Sequence, residues 1–256
     1  IVIPSRHLGL SIDETFCFDA FADRVAEVID KTVNVDRLLE LCTVEFSGEQ
    51  TENVVCFGNR KIAIARDEAF NFMYRENVEA LKRAGEVVFF SPLRDKSLPE
   101  ADMVYFPGGY PELHLAELAA NEGMRQSVRK YCENGGRVLA ECGGMMYLCD
   151  TITGDDGKVY PMVGVLKQGA TMEQMKLKLG YREVRVNGQR IRGHEFHYSR
   201  ILPTNEKIPV IGTIYNAKDM VVDTPVYTYK NVLASYIHFY WGECGIDHFL
   251  MLMSQK

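Results

Sequence analysis

Cysteine, histidine and paired glycines are the residues in this sequence whose types and spacing could do chemistry. Cys142 closes a short apolar run that starts at Arg137, and it is followed by Gly143, Gly144 and the helix-forming Met145, Met146, Tyr147 and Leu148. Strand, nucleophile, helix is the order of a nucleophile elbow, in which the central residue is strained and the residues two before and two after it must be small. Ala140 and Gly144 meet that requirement. A thiol at a helix start is expected to gain from the dipole and from nearby N–H groups, which lower its pKa. The string equally fits a small buried cysteine at a glycine-rich turn, so the surroundings decide.

Those surroundings include the loop PGGYPE from Pro107, directly after an apolar run. With the N–H of Gly143, the N–H of Gly109 could hold the oxyanion that forms when a thiolate attacks a carboxamide, an interaction worth several kcal/mol in a transition state. Glycines alone do not separate this from a tight turn. The histidines are His7, His114, His194, His197, His238 and His248. His238 follows the apolar stretch LASYI from Leu233, which places it at a strand end, where sites form in α/β sheets. Its role would be to form an ion pair with Cys142, protonate the leaving group and then activate water. The cluster GHEFHYS from Gly193 has H-x-x-H spacing, but residues three apart on an extended segment face opposite sides, so no metal is expected. His194 and His197 are read as substrate-facing or interdomain residues, as are Asn71 and Tyr74, which lie beyond the first strand beside Asp67 and Glu68.

The 256 residues are 46% hydrophobic and 25% charged, enough to bury a full core, with a net charge of −6 and no basic stripe that would mark nucleic-acid binding. Seven scattered cysteines without a C-x-x-C pair argue against a disulfide framework or a zinc site and point to a reducing compartment, the cytoplasm. No apolar run is long enough to span a membrane.

The elements that must position these residues follow from periodicity. Two short amphipathic helices are expected between Phe18 and Cys42, and a polar linker over 43–59. Residues 1–60 then form one part and 61–256 a second, the opening IVIP being read as a strand entered in mid-course. From residue 61 the runs alternate: strand 61–66, helix 72–84, strands 87–90 and 103–106, helix 124–134, strand 137–140. Unbroken apolar strands with helices between them predict an α/β fold of the flavodoxin-like, doubly wound kind, a mostly parallel sheet with helices on both faces. Shorter β-rich pieces follow residue 160, with a turn at Asn187-Gly188, an antiparallel edge, an apolar strand over 233–238 and a last helix over 247–253.

Taken together, ARDEAFNF from Ala65, FSPL from Phe90, PGGYPE from Pro107, AECGG from Ala140, YPMVG from Tyr160, GYR from Gly180 and RGHEFHYS from Arg192 closely resemble the cobyrinic acid a,c-diamide synthase family, in its C-terminal class I-type glutamine amidotransferase domain. The resemblance runs through nearly all of 61–238, and PSRHLGL from Pro4 resembles the end of that family's upstream synthetase domain. It implies Cys142 as nucleophile and His238 as its acid–base partner, acting on L-glutamine. It also implies a separate N-terminal synthetase domain as partner, where ATP and Mg2+ activate corrinoid carboxylates. Neither cofactor is expected on this domain, which lacks G-x-x-x-x-G-K-[ST]; the spacing from Gly164 to Thr171 has Ala170 in place of the lysine. Whether the ring is a cobyrinate, hydrogenobyrinate or nickel sirohydrochlorin stays open, as does a homodimer. One departure stands out: Tyr240 occupies the place where many class I amidotransferases carry a histidine-orienting glutamate. A stand-alone hydrolase or an inactive docking module of the same fold are the competing readings.

Overall fold

The computed structural model describes residues 17–45, 60–204, 207–242 and 246, with the backbone of a short hairpin, β1 (Ser5–Arg6) and β2 (Gly9–Leu10). His7, His248, Cys56, Cys244, most of the expected linker, the expected last helix over 247–253 and the other residues of 1–10 lie outside the described residues. The chain divides into two compact units, residues 1–52 and 53–256.

The first unit carries α1 (Phe18–Thr32) and α2 (Val35–Cys42). Asn34 caps α2, its side-chain oxygen accepting the Arg37 N–H at 2.9 Å. Both helices form where the three-to-four spacing placed them.

The second unit runs β3 (Lys61–Ala65), α3 (Arg75–Ala84), β4 (Glu86–Phe90), β5 (Met103–Phe106), a 3-10 turn at Pro111–Leu113, α4 (Leu115–Ala120), α5 (Glu122–Glu133), β6 (Arg137–Glu141) and α6 (Gly143–Leu148). Then come β7 (Cys149–Thr153), β8 (Val159–Pro161), β9 (Leu166–Thr171), β10 (Lys178–Val186), β11 (Gln189–His197), β12 (Arg200–Ile201), β13 (Thr213–Asn216), β14 (Val226–Tyr229), β15 (Val232–Ser235) and β16 (Ile237–Phe239). The central sheet has the order β14-β15-β6-β5-β3-β4, parallel except for the β14 edge. Leaving out that edge, the strand order reverses between β3 and β5, the doubly wound arrangement whose ligand crevice opens at the carboxyl ends of the strands.

Alternation along the strands sorts the core into two layers. Ala63, Ala65, Val104, Phe106, Val138 and Ala140 face a cluster with α4, α5 and α6, whereas Ile62, Ile64, Met103, Tyr105 and Leu139 face α3 and an antiparallel sheet ordered β13-β10-β11-β16. The second face is thus covered partly by strands rather than by helices alone. The β10–β11 hairpin turns at Asn187 (φ 49°) and Gly188 (φ 76°), positive angles that Asn-Gly adopts readily.

Two expectations need correction. The first helix after β3 starts at Arg75, not 72, because Asp67 ties down the preceding turn: its Oδ1 accepts the N–H groups of Ala69 and Phe70, and Phe72 bridges to Gly108. The apolar stretch 233–238 is two strands in different sheets. It breaks at Tyr236, where Ser235 gives its carbonyl to the Cys142 N–H (2.8 Å) and its Oγ accepts the Ile237 N–H (3.2 Å).

Candidate active site

Cys142 sits where β6 ends and α6 begins, at φ 46° and ψ −107°, a left-handed conformation that a non-glycine residue adopts only when its surroundings enforce it. Those surroundings are tight. A Cβ on Gly144 would lie 2.3 Å from the Phe106 carbonyl oxygen, and one on Gly143 would lie 2.7 Å from Pro111 Cδ and 3.2 Å from the Gly109 nitrogen. The small residues flanking the elbow are therefore required by the loop packed on it, and the amides of Gly109 and Gly143 are brought side by side. The PGGYPE loop is clamped in turn: Tyr110 N–H donates to Ala69 O at 2.9 Å and Phe72 N–H to Gly108 O at 3.0 Å. No protein acceptor takes the Gly109 N–H among the described residues.

His238 lies within β16, not at the end of a central-sheet strand, opposite His194 of β11. Its ring packs against Gly108 so closely that a Cβ there would meet His238 Cε1 at 2.2 Å. Phe72 contacts it edge-on at 4.6 Å and His194 stacks on it at 4.9 Å. The structure thus gathers Cys142, Gly143, Gly109 and, through Gly108, His238 on one rim at the carboxyl ends of β5 and β6. Among the described residues no hydrogen bond joins Cys142 to His238; the Sγ contact is to the Phe196 carbonyl at 3.9 Å.

The remaining sequence-picked residues separate. His194 shares a 2.6 Å hydrogen bond with the Tyr74 hydroxyl. His197 faces the other side of β11, where its ring nitrogens bond Ser199 O (2.7 Å) and Glu195 Oε1 (2.8 Å) and its ring stacks on Tyr236. Asn71 bonds the Glu68 carbonyl at 3.1 Å, within its own turn. No group of three or more His, Cys, Asp or Glu able to hold a metal ion occurs among the described residues. Gly169, in the glycine spacing from Gly164 to Thr171, lies in strand β9 rather than in a phosphate-cradling loop. These residues do not fit ATP or magnesium.

Sequence reasoning did not reach three neighbours of the site: the Phe196 carbonyl beside the sulfur, the Phe72 ring on His238, and Glu141. Glu141 is 1% exposed and accepts the Tyr105 O–H at 2.8 Å and the Phe239 N–H at 3.2 Å. A carboxylate ending an otherwise apolar buried strand was the available signal.

Electrostatics correct the expectation of an activated thiolate. Burial first, then the Glu112 carboxylate, push the Cys142 thiol well above its ordinary range, against the lowering effect of the Gly143 N–H. Burial, followed by His194 and His197, takes the His238 imidazole down to about 3. Both shifts favour the neutral pair in the free protein, where an ion pair was expected. Since a raised thiol pKa lowers the thiolate fraction at neutral pH, alkylation of Cys142 by iodoacetamide without substrate should climb steadily from pH 7 to 10. Peptide mass spectrometry measures it, and a plateau below pH 8 would contradict this electrostatic account.

Among the described residues no helix is long and apolar enough to cross a membrane. In a Thermoplasma acidophilum protein described as part of a GMP synthase, the same fold recurs at a TM-score of 0.50 and 14% identity, over 77% of this chain and 95% of that one. Two curated relatives are a cobyrinate a,c-diamide synthase of Salmonella typhimurium, 33% identical over 95% of this chain and 56% of its own length, and a hydrogenobyrinate a,c-diamide synthase of Pseudomonas aeruginosa, 38% identical over 93% and 54%. The chain therefore spans little more than half the length of these relatives. Residues 61–244, which contain the elbow, the glycine loop and His238, match the model of the CobB/CobQ-like glutamine amidotransferase domain, and to that family the chain belongs.

Proposed function

We propose that this chain releases ammonia from L-glutamine, as the glutaminase half of an ATP-dependent amide ligase that amidates corrin carboxylates. The observation that carries the reading is the strained Cys142 elbow with the Gly109 and Gly143 amides beside it. In this reaction His238 takes the Cys142 thiol proton as Sγ bonds to the carboxamide carbon of glutamine. The carbonyl oxygen becomes an oxyanion between the two glycine N–H groups. His238 then passes the proton to the departing nitrogen, the C–N bond breaks, and ammonia leaves a γ-glutamyl thioester. Water, deprotonated by His238, attacks that thioester; glutamate departs and the thiol is restored. Because thiol and imidazole are both held neutral in the free protein, the proton moves when substrate is bound rather than before.

ATP and Mg2+ act on a synthetase domain outside this chain, which fits relatives nearly twice its length. Relatives named for cobyrinate and for hydrogenobyrinate support either ring as acceptor, since the glutaminase half handles only glutamine. The cytoplasm, where ATP and free thiols coexist, is the compartment we assign.

The test is covalent capture. A glutamine analogue with a chloromethyl ketone in place of the carboxamide should add one equivalent to the Cys142 peptide, with protection by excess glutamine. Labelling confined to the exposed Cys17 and Cys42 would refute the reading.

A further inference from the structure

Acid–base work by an imidazole requires one ring nitrogen to be held as a donor, so that the other keeps its lone pair for the reacting proton. Two residues past His238 stands Tyr240, which cannot serve as a carboxylate and whose ring packs edge-on against Tyr74 at 5.5 Å. His238 is 2% exposed, and its Nδ1 is buried without a hydrogen-bond partner. Buried polar atoms are nearly always paired, so this orphan asks for an explanation.

The carboxylate facing Nδ1 is that of Glu141, with Oε2 at 3.9 Å. Its orientation is fixed from two sides: Oε1 accepts the N–H of Phe239, the residue after His238, and Oε2 accepts the Tyr105 O–H. A carboxylate oxygen has two acceptor positions, so Oε2 keeps one for the imidazole. Closing 3.9 Å to hydrogen-bond distance takes roughly 1 Å of movement. Catalytic hydrogen bonds are commonly long in a free enzyme and tighten when substrate binds. Glu141 directly precedes Cys142, so a single strand end carries both nucleophile and carboxylate, on side chains that point to opposite faces.

We propose that Glu141 is the positioning residue for His238: its carboxylate accepts the Nδ1–H and fixes the tautomer that leaves Nε2 to take the Cys142 proton. This rests on the glutaminase reading of Cys142 and His238 above. The titratable groups around Glu141 are Tyr105 on β5, Tyr74 before α3, Cys142 and His238; those around the imidazole are His194, His197 and Glu195 on β11. Burial raises Glu141 to about 8, against the pull of Tyr105 and Phe239, so its carboxylate form grows through the neutral range.

The experiment is 15N-histidine NMR on the full chain, beside glutamate-release kinetics from pH 6 to 9, with the His238 signal identified by its loss in His238→Gln. In wild type the Nδ1–H tautomer should grow with pH, and the rate should rise with it. Glu141→Gln places an amide NH2 where Oε2 was when the amide oxygen keeps the Phe239 N–H. It should abolish that tautomer shift, flatten the rising limb and lower kcat about 10²–10⁴-fold with KM changed less than about threefold. Glu141→Asp should restore part of kcat and part of the shift, and it carries the same reading if Glu141→Gln fails to fold. An unchanged tautomer and pH profile in these variants, even alongside a lower kcat, would mean a structural role and overturn the proposal. A tautomer that follows Glu141 in a wild type releasing no glutamate would refute the glutaminase reading and leave the positioning intact.

Discussion

Replacing Glu195 with alanine should destabilise the second unit by about 3–5 kcal/mol, the cost of stranding a buried partner charge. Glu195 is fully buried on β11, where it accepts Arg182 Nε at 2.7 Å, the Thr224 O–H at 2.8 Å and His197 Nε2 at 2.8 Å, with Lys178 at 3.3 Å. Arg182 is 8% exposed, and after the substitution its remaining bond is to the Tyr181 carbonyl. A domain is stable by only about 5–15 kcal/mol, so the loss should be evident as a lower urea midpoint at pH 7. Burial would raise the Glu195 carboxyl, but His197, Lys178 and Thr224 prevail and hold it at about 2. A folded pKa below the unfolded value contributes stability above the ordinary carboxyl range and loses it as pH falls from about 4.5 towards 2. The gap between wild type and variant should therefore narrow over that window. Replacing Arg182 and Glu195 together with methionines should recover much of the loss, and a single-variant loss under about 1 kcal/mol would contradict this reading of the cluster.

The GHEFHYS segment shows how sequence and structure divide the information. Alternation along a strand was enough to send His194 and His197 to opposite faces, and β11 does so. What each then meets was not legible, because Tyr74 and Glu195 reach them through strand pairing and packing rather than through neighbouring positions. The elbow was legible for a steric reason, since only small residues at 140 and 144 fit against the Phe106 strand end. The order of the central sheet followed from its unbroken apolar runs. The division of 233–238 into two strands did not, because both halves are apolar and the break is set by the Cys142 N–H reaching across to Ser235. The short α4 also escaped, since six residues give too little period to recognise. Glu141 was legible as a residue but not as a neighbour of His238, a contact that spans most of the domain's sequence.

The central claim is that Cys142 performs the chemistry. Serine is close in shape to cysteine, but its hydroxyl is a far weaker nucleophile when activated by an imidazole set for a thiol, and removal of a nucleophile in comparable triads costs up to about 10⁶-fold. Cys149, fully buried seven residues on and bonded to the Met145 carbonyl, is the control for mere disturbance of α6. The most direct measurement is glutamate release from glutamine by wild type, Cys142→Ser and Cys149→Ser. The account predicts a loss of at least about 10³-fold in Cys142→Ser and a rate within about tenfold of wild type in Cys149→Ser. A wild-type rate that survives Cys142→Ser would contradict it.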